Sequence, residues 1–301
     1  MLSIAYDDQK MADGLGAQIQ RIVSIYTICK RFRLSARNLR VSEILLHPQD
    51  GILDRNSYLD LINRTNKLLE DTLGKSAAPQ NLIHVDSLTA KILLKNFVKY
   101  GWRFNSYTLV IANPYPVIER LPFIIKNLNK TNKKKIQSLT IHVRSSGNRS
   151  GFALKNESDS RNLSPQRYFD LLDVLEKRLD NFRDLKVRVV TDAIAKQTDF
   201  QIQENQESLW LLAGYDMNDG QIRFEPNPDI EIIISHLQKN FQAEIIRGGD
   251  PLECLKVLMD SDILVTSRSS LSFAAGLIGS HSVVCSPRDY WHTAPRNWIA
   301  F

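Results

Sequence analysis

Short apolar runs alternate with longer segments of helical periodicity twice along this chain. That double alternation, more than any other feature, restricts it to an α/β architecture with mainly parallel sheets. In the first half, residues 3–6 form an apolar run, followed by Asp13-Gly14-Leu15-Gly16. From Gln18 onward Ile19, Ile22, Val23, Tyr26, Ile28 and Phe32 lie close to i, i+3, i+4, i+7 spacing, which predicts a helix. Further strands are predicted at 82–85 and 107–112, and helices at 58–73, 87–100 and 117–128. The second half restarts with a strand at 139–143 and a helix opening at Ser164-Pro165, a good N-cap followed by a good first helical residue. Tyr168, Leu171, Leu172, Leu175 and Leu179 share one face of that helix. Strands at 187–191, 243–246, 262–266 and 283–285 then alternate with helices at 230–241, at 252–259 and from Leu271. The pair Gly248-Gly249 breaks the chain before Asp250-Pro251. Two α/β domains follow from this, at 1–132 and 133–301, with the boundary in the polar stretch 128–137 and no internal repeat.

With 301 residues, 43% hydrophobic and 24% charged, the chain can build a real core. It contains no run of about 18 apolar residues, so no transmembrane segment is expected. The N-terminus lacks the basic flank and long apolar stretch of a signal peptide, and the expectation is a soluble, cytoplasmic protein. Cys29, Cys254 and Cys285 are odd in number and far apart, offering neither a disulfide framework nor a metal-binding pair, and read as buried small hydrophobes. The net charge of +6 favours anionic partners. The dense cluster Lys133-Lys134-Lys135 has no interleaved aromatics for base stacking, so a solvated linker is expected and no nucleic-acid partner.

Chemistry concentrates in four places. His142-Val143-Arg144 ends a strand and precedes a small, polar stretch, 145–150. Open α/β sheets bind ligands at the carboxyl ends of their strands, and a guanidinium fork suits phosphate oxygens. Ser267-Arg268-Ser269-Ser270-Leu271-Ser272 follows another strand and opens a helix, where backbone N–H groups and hydroxyls form either an anion site or a plain cap. Thr191-Asp192 ends a third strand, and either bonds a ligand or caps the next element. Gly14-Leu15-Gly16 allows a tight turn, but Ile19 rules out a GxGxxG fingerprint, and no P-loop pattern occurs.

These pieces occur in the order seen in the fucosyltransferase superfamily, which takes in α1,2-, α1,6- and protein O-fucosyltransferases, and the chain resembles that group. His142-Val143-Arg144 is similar to its HxRRxD-like segment. Ser269-Ser270-Leu271-Ser272-Phe273-Ala274-Ala275 is similar to its S-S-x-S-x-x-A-A-like segment, and Gly14-Leu15-Gly16-Ala17-Gln18 to its GxGNQ-type opening. The chain departs from the pattern at Ser145, where the group has a second Arg, in the missing Asp that follows, and at Ala17, where Asn is commoner.

The resemblance implies a GT-B-like fold, two Rossmann-like domains facing a cleft. It also implies an inverting, metal-independent glycosyltransferase that moves a deoxyhexose from a GDP-sugar to the hydroxyl of a glycan acceptor. The donor implied is GDP-fucose, with no cofactor and no metal. Arg144 would contact the donor diphosphate and His142 would line the nucleotide pocket. Ser270 and Ser272, beside Ser269 and Asp192, would bind the donor, and Gly14 and Gly16 would face sugar and acceptor. Arginine and helix-end N–H groups are also what a metal-free enzyme needs as charge develops on a departing diphosphate. No base declares itself: Asp13 is the first candidate and Asp7 or Asp8 the next, the alternatives being that all three are solvated loop carboxylates or that Arg-assisted departure needs little base help. Arg149 and Arg161 bracket either a closing loop or an exposed basic one. Trp291, His292 and Trp298 belong either to a sugar-stacking platform or to a terminal helix packed on the body. Two other readings stay open: a glycosyltransferase using a dTDP- or UDP-linked sugar, and a non-catalytic sugar-nucleotide or glycan-binding protein.

Overall fold

The computed structural model describes residues 3–6, 14–37, 39–42, 44, 55–75, 81–85, 89, 92, 108–111, 135–144, 163–193, 198–201, 221–224, 227–290, 294–295 and 297–301. The chain separates into two compact units, one holding the secondary-structure elements up to Ile111 and the other those from Ser138 onward.

In the first unit, β1 (Ser3–Tyr6), β2 (Ser35–Arg37), β3 (Leu82–Val85) and β4 (Thr108–Ile111) form a sheet in the order β2-β1-β4-β3, every pair parallel. Helix α1 (Leu15–Phe32) begins three residues earlier than its apolar periodicity predicts. Gly14 is its N-cap in extended conformation, and the N–H groups of Ala17 and Gln18 bond the Gly14 carbonyl. Gly16 therefore lies in the first helical turn rather than in a turn before it. Ile19, Ile22, Val23, Ile25, Ile28 and Cys29 are all buried. Ser24 and Thr27 are buried too, and their hydroxyls donate to the carbonyls of Gln20 and Val23 one turn back. Helix α2 (Arg55–Leu73) buries Leu61, Ile62, Thr65, Leu69 and Leu73. It also grips the segment after β2: Asn66 accepts from Val41 N and donates to Val41 O, both at 2.8 Å. The helices expected at 87–100 and 117–128 lie outside the described residues, apart from positions 89 and 92.

In the second unit, six parallel strands run in the order β12-β11-β10-β5-β6-β9. They are β5 (Ser138–Val143), β6 (Lys186–Thr191), β9 (Glu244–Arg247), β10 (Ile263–Val265), β11 (Val283–Ser286) and β12 (Ile299–Ala300). A separate antiparallel pair, β7 (Thr198–Gln201) and β8 (Gln221–Phe224), lies between β6 and β9 in sequence. Helices α3 (Pro165–Arg178) and α4 (Pro228–Phe241) pack on one face of the six-stranded sheet. Leu139, Ile141, Val143, Val187, Val189, Ile263 and Val265 meet Tyr168, Leu171, Leu175, Ile230, Ile233 and Leu237 there. Side chains alternate along a strand, so Thr140 and His142 face the opposite side, toward α5 (Pro251–Met259) and α6 (Ser270–Ile278). Both faces are covered, which is why β5 is buried at every position from Leu139 to Val143. Each fully buried Leu, Ile or Val stabilises the unit by about 1.5–3 kcal/mol before entropy is counted.

Helix starts follow local chemistry. Asp250 caps α5 by accepting from Leu252 N and Glu253 N, and Gly249 before it sits at φ 92°, where residues other than glycine are strained. Ser164 occupies the N-cap of α3, yet its side chain makes no capping bond, so Pro165 at the first helical position marks the start. The C-terminal residues depart from expectation: 299–300 form the edge strand β12 rather than a helix. Trp298 is buried on Phe273 and over Gly276, where an added Cβ would meet its ring at 2.7 Å. Trp298 is thus core rather than sugar platform, while Trp291 and His292 lie outside the described residues. All three cysteines are free and buried, and burial pushes the thiols of Cys29 and Cys285 up to about 12.

Candidate functional site

From β5 the chain of the second unit moves outward through β6 to β9, then returns to lay β10 against the other side of β5 and moves outward again through β11 to β12. The direction reverses between β5 and β10, whose register pairs Val265 with Ile141. At such a switch point the loops leaving neighbouring strands part in opposite directions and open a crevice at the carboxyl edge. The residues that follow β5, β6, β10 and β11 all belong to that edge, and they carry the charge of the candidate site.

Arg144 leaves β5 and Asp192 leaves β6, and the two pair with Arg144 Nη1 at 3.1 Å from Asp192 Oδ2, their side chains only 10% and 13% exposed. Arg144 Nε is buried and has no hydrogen-bond partner among the described residues. Buried polar groups are nearly always satisfied, so this N–H can still take an oxygen acceptor. Thr191 does not reach outward: its hydroxyl accepts from Ala193 N in a local turn.

His142 points beneath α6, almost wholly buried, with Nδ1 2.7 Å from Ser267 Oγ. Burial first, and the Arg144 charge second, push its imidazole down to about 3, so the ring is neutral at physiological pH. Tyr168 donates to the His142 carbonyl at 3.2 Å, and burial raises its phenol well above the ordinary value. The loop from β10 to α6 is thereby tied to β5 across 125 positions of sequence.

The serines after β10 divide their duties. Ser267 N donates to Ser272 Oγ, Ser272 Oγ to the Ser269 carbonyl, and Leu271 N to Ser269 Oγ as a helix cap. Phe273 N is taken by the Ser269 carbonyl, which leaves the N–H groups of Ser270 and Ser272 as the donors of the first turn without an acceptor among the described residues. Ser270 is half-buried, whereas Ser269 and Ser272 are buried. Of the four hydroxyls read from the sequence, three hold the loop together.

Arg268, in the middle of that run, donates to Asp289, which follows β11, and Asp289 also accepts from Arg167 Nη1 at 2.8 Å. Burial alone would raise the Asp289 carboxyl, but the hydrogen bonds from Arg167 and Arg268 hold it below its ordinary value. Arg167 Nη2 donates in turn to the Phe301 carbonyl at 2.7 Å. Sequence reasoning passed over Arg268 and Arg167 as site residues. The signal for Arg268 was present, since it stands three residues past β10, inside the serine run that opens α6. Arg167 lies on the first turn of a helix, where nothing local marks it.

The structure thus brings His142, Arg144, Asp192, Ser269, Ser270 and Ser272 to one sheet edge. Gly14 and Gly16 belong to the other unit. Asp13, Asp7, Asp8, Arg149 and Arg161 lie outside the described residues. Among the described residues no three His, Cys, Asp or Glu side chains gather in a way that could hold a metal ion, and no helix is long and apolar enough to cross a membrane.

No protein-family profile and no curated protein matches the chain. Among solved structures it is similar to E. coli heptosyltransferase WaaC with ADP-2-deoxy-2-fluoro heptose, at 8% identity and a TM-score of 0.39, covering 100% of this chain and 93% of that one. It is also similar to NodZ α-1,6-fucosyltransferase co-crystallized with GDP, at 11% identity and a TM-score of 0.32, covering 92% of each. The selenomethionine form of NodZ from Bradyrhizobium gives the same figures. Likenesses this loose carry no argument about activity.

Proposed function

We propose that the chain is a glycosyltransferase of GT-B type, inverting and independent of metal. It transfers a deoxyhexose, fucose first, from a GDP-sugar to a glycan hydroxyl, with the second unit binding the donor. The single observation that carries this reading is Arg144 Nε, a buried donor without a hydrogen-bond partner among the described residues at the switch point of a parallel sheet. The neighbouring strand β10 leads into α6, whose N-terminus offers the N–H groups of Ser270 and Ser272. A guanidinium with an open N–H together with helix-end donors suits a diphosphate better than a neutral ligand.

In the reaction the acceptor oxygen attacks the anomeric carbon on the face opposite the diphosphate. The new glycosidic bond forms as the bond from that carbon to the phosphate oxygen breaks. The acceptor proton passes to a carboxylate, for which Asp13 is the proposal, and the electron pair of the broken bond stays on the diphosphate. Arg144 and the α6 N–H groups stabilise that growing charge, and a donor aimed at such a position is worth about 10²- to 10³-fold in rate. His142, neutral and bonded to Ser267, supports this arrangement from beneath.

Calorimetric titration with GDP, UDP, dTDP and ADP tests the reading on wild type, Arg144→Ala and Arg144→Lys. The lysine variant keeps a positive charge beside Asp192 and so protects the fold, but loses the fork. Selective binding of GDP that weakens about ten- to a hundredfold in both variants is the expected result. Preference for another nucleotide moves the donor, and binding of none of them rejects the catalytic reading.

A further inference from the structure

The two charge groups at the carboxyl edge are built differently. Arg144 and Asp192 form a nearly buried pair. Arg268, Asp289 and Arg167 form a chain whose middle member, the carboxylate, is 46% exposed while Arg268 is only 14% exposed. Both arginines converge on one atom, Asp289 Oδ2. Two guanidinium groups aimed at a single oxygen make a cradle for an anion, and here a carboxylate of the chain itself fills it.

Arg268 stands between Ser267, whose hydroxyl bonds His142, and Ser269, the N-cap of α6. Arg268 is therefore flanked by the residue that binds His142 and by the cap of α6, although its fork is turned to Asp289.

Resting on the donor-site reading above, we infer that Arg268 is a second phosphate-binding arginine. In the ligand-free protein Asp289 occupies the place of a phosphate oxygen on it, and the donor diphosphate displaces that carboxylate. The exchange is favourable because Asp289 keeps its second partner. Arg167 remains bonded to it and is anchored by the Phe301 carbonyl, so no charge is stranded when Arg268 turns away. The carboxylate of the pair that breaks is half in water, which weakens the pair. The bond that replaces it joins a guanidinium to a more highly charged oxyanion at a helix N-terminus.

The test is calorimetric titration of inorganic pyrophosphate and of GDP into the full chain, comparing wild type, Asp289→Asn, Arg268→Ala and Arg268→Lys. Asp289→Asn removes the competing charge and tightens binding about two- to fivefold, the range an exposed ion pair spans. Arg268→Ala weakens binding of both probes about ten- to a hundredfold, and Arg268→Lys, which keeps the charge without the fork, falls between. Opposite signs at the two positions are the expected result, since a clasp serving only the fold would move both variants the same way. Weaker binding in Asp289→Asn, or unchanged pyrophosphate affinity in Arg268→Ala, overturns the inference. If Arg144→Ala abolishes binding and Arg268→Ala does not, the donor site stands and this inference alone fails. Opposite signs with pyrophosphate but no binding of any nucleotide would keep the exchange and reject the donor reading. No binding of any probe by wild type rejects both.

Discussion

Acid sensitivity at His142 offers a direct check on the geometry of the site. The ring is buried beneath α6, bonded through Nδ1 to Ser267, and pushed down to about 3 from an ordinary value of 6.5 by burial and by Arg144. The unfolded chain therefore binds a proton below pH 6.5 that the folded chain refuses, so stability falls as pH falls, beginning near 6.5 and continuing toward 3. At pH 5 the unfolded ring is stabilised by RT ln(1 + 10^1.5), about 2 kcal/mol, and the folded protein is destabilised by that amount relative to pH 8. Carboxylates titrate mainly below this window, so histidine dominates between pH 7.5 and 5. His281 is also buried and lowered, but it is common to wild type and His142→Gln and cancels in their difference. Urea unfolding of both proteins at pH 7.5, 6.0 and 5.0 should show wild type losing about 2 kcal/mol more than the glutamine variant. In nuclear magnetic resonance the His142 ring should show no titration above pH 5. Equal pH slopes for the two proteins, or a ring that titrates near 6.5, would refute the buried neutral imidazole and with it the tie between β5 and the α6 loop.

Two further predictions concern the frame of the second unit. Gly276→Ala places a Cβ 2.7 and 2.8 Å from rigid Trp298 ring carbons. Overpacking costs about 1–3 kcal/mol, of which better helix propensity returns up to about 1. A thermal melt should show a midpoint lowered by a few degrees, and a variant as stable as wild type would mean the indole is not held where the structure has it. Asp250→Ala removes a carboxylate that accepts from Leu252 N and Glu253 N, which should cost about 1 kcal/mol of stability by urea unfolding. Asp250→Asn should recover most of it, and no difference between the alanine and asparagine variants would count against the cap.

Local pattern was enough for much of this architecture. Leu139, Ile141 and Val143 alternate with Thr140 and His142, and the observed β5 begins one residue before the expected strand. The helix over 165–178 follows from spacing and from Pro165 at its first position, and the helix expected at 230–241 starts two residues earlier, at Pro228. What local pattern missed is equally physical. β2 (Ser-Ala-Arg), β7 (Thr-Asp-Phe-Gln) and β12 (Ile-Ala) are too short or too polar to show an apolar period, and exist because a neighbouring strand offers hydrogen bonds. Leu15, buried and four residues before Ile19, belongs to the apolar stripe of α1, but the glycines on either side of it read as a turn.

Through local propensity and pattern, the amino-acid order by itself determined that two parallel α/β units would form, and that Arg144, Asp192 and the serine run would each stand at a strand's carboxyl end. Those outcomes depend on residues within a few positions of one another. Which strands become neighbours depends instead on how all the buried faces are covered at once, and only the tertiary structure decided that β10 lies against β5. From that one adjacency follows the bond from His142 to Ser267, which joins the end of β5 to the loop that opens α6. The convergence of Arg167 and Arg268 on Asp289 is of the same kind, joining residues 122 and 21 positions apart through contacts no local window contains.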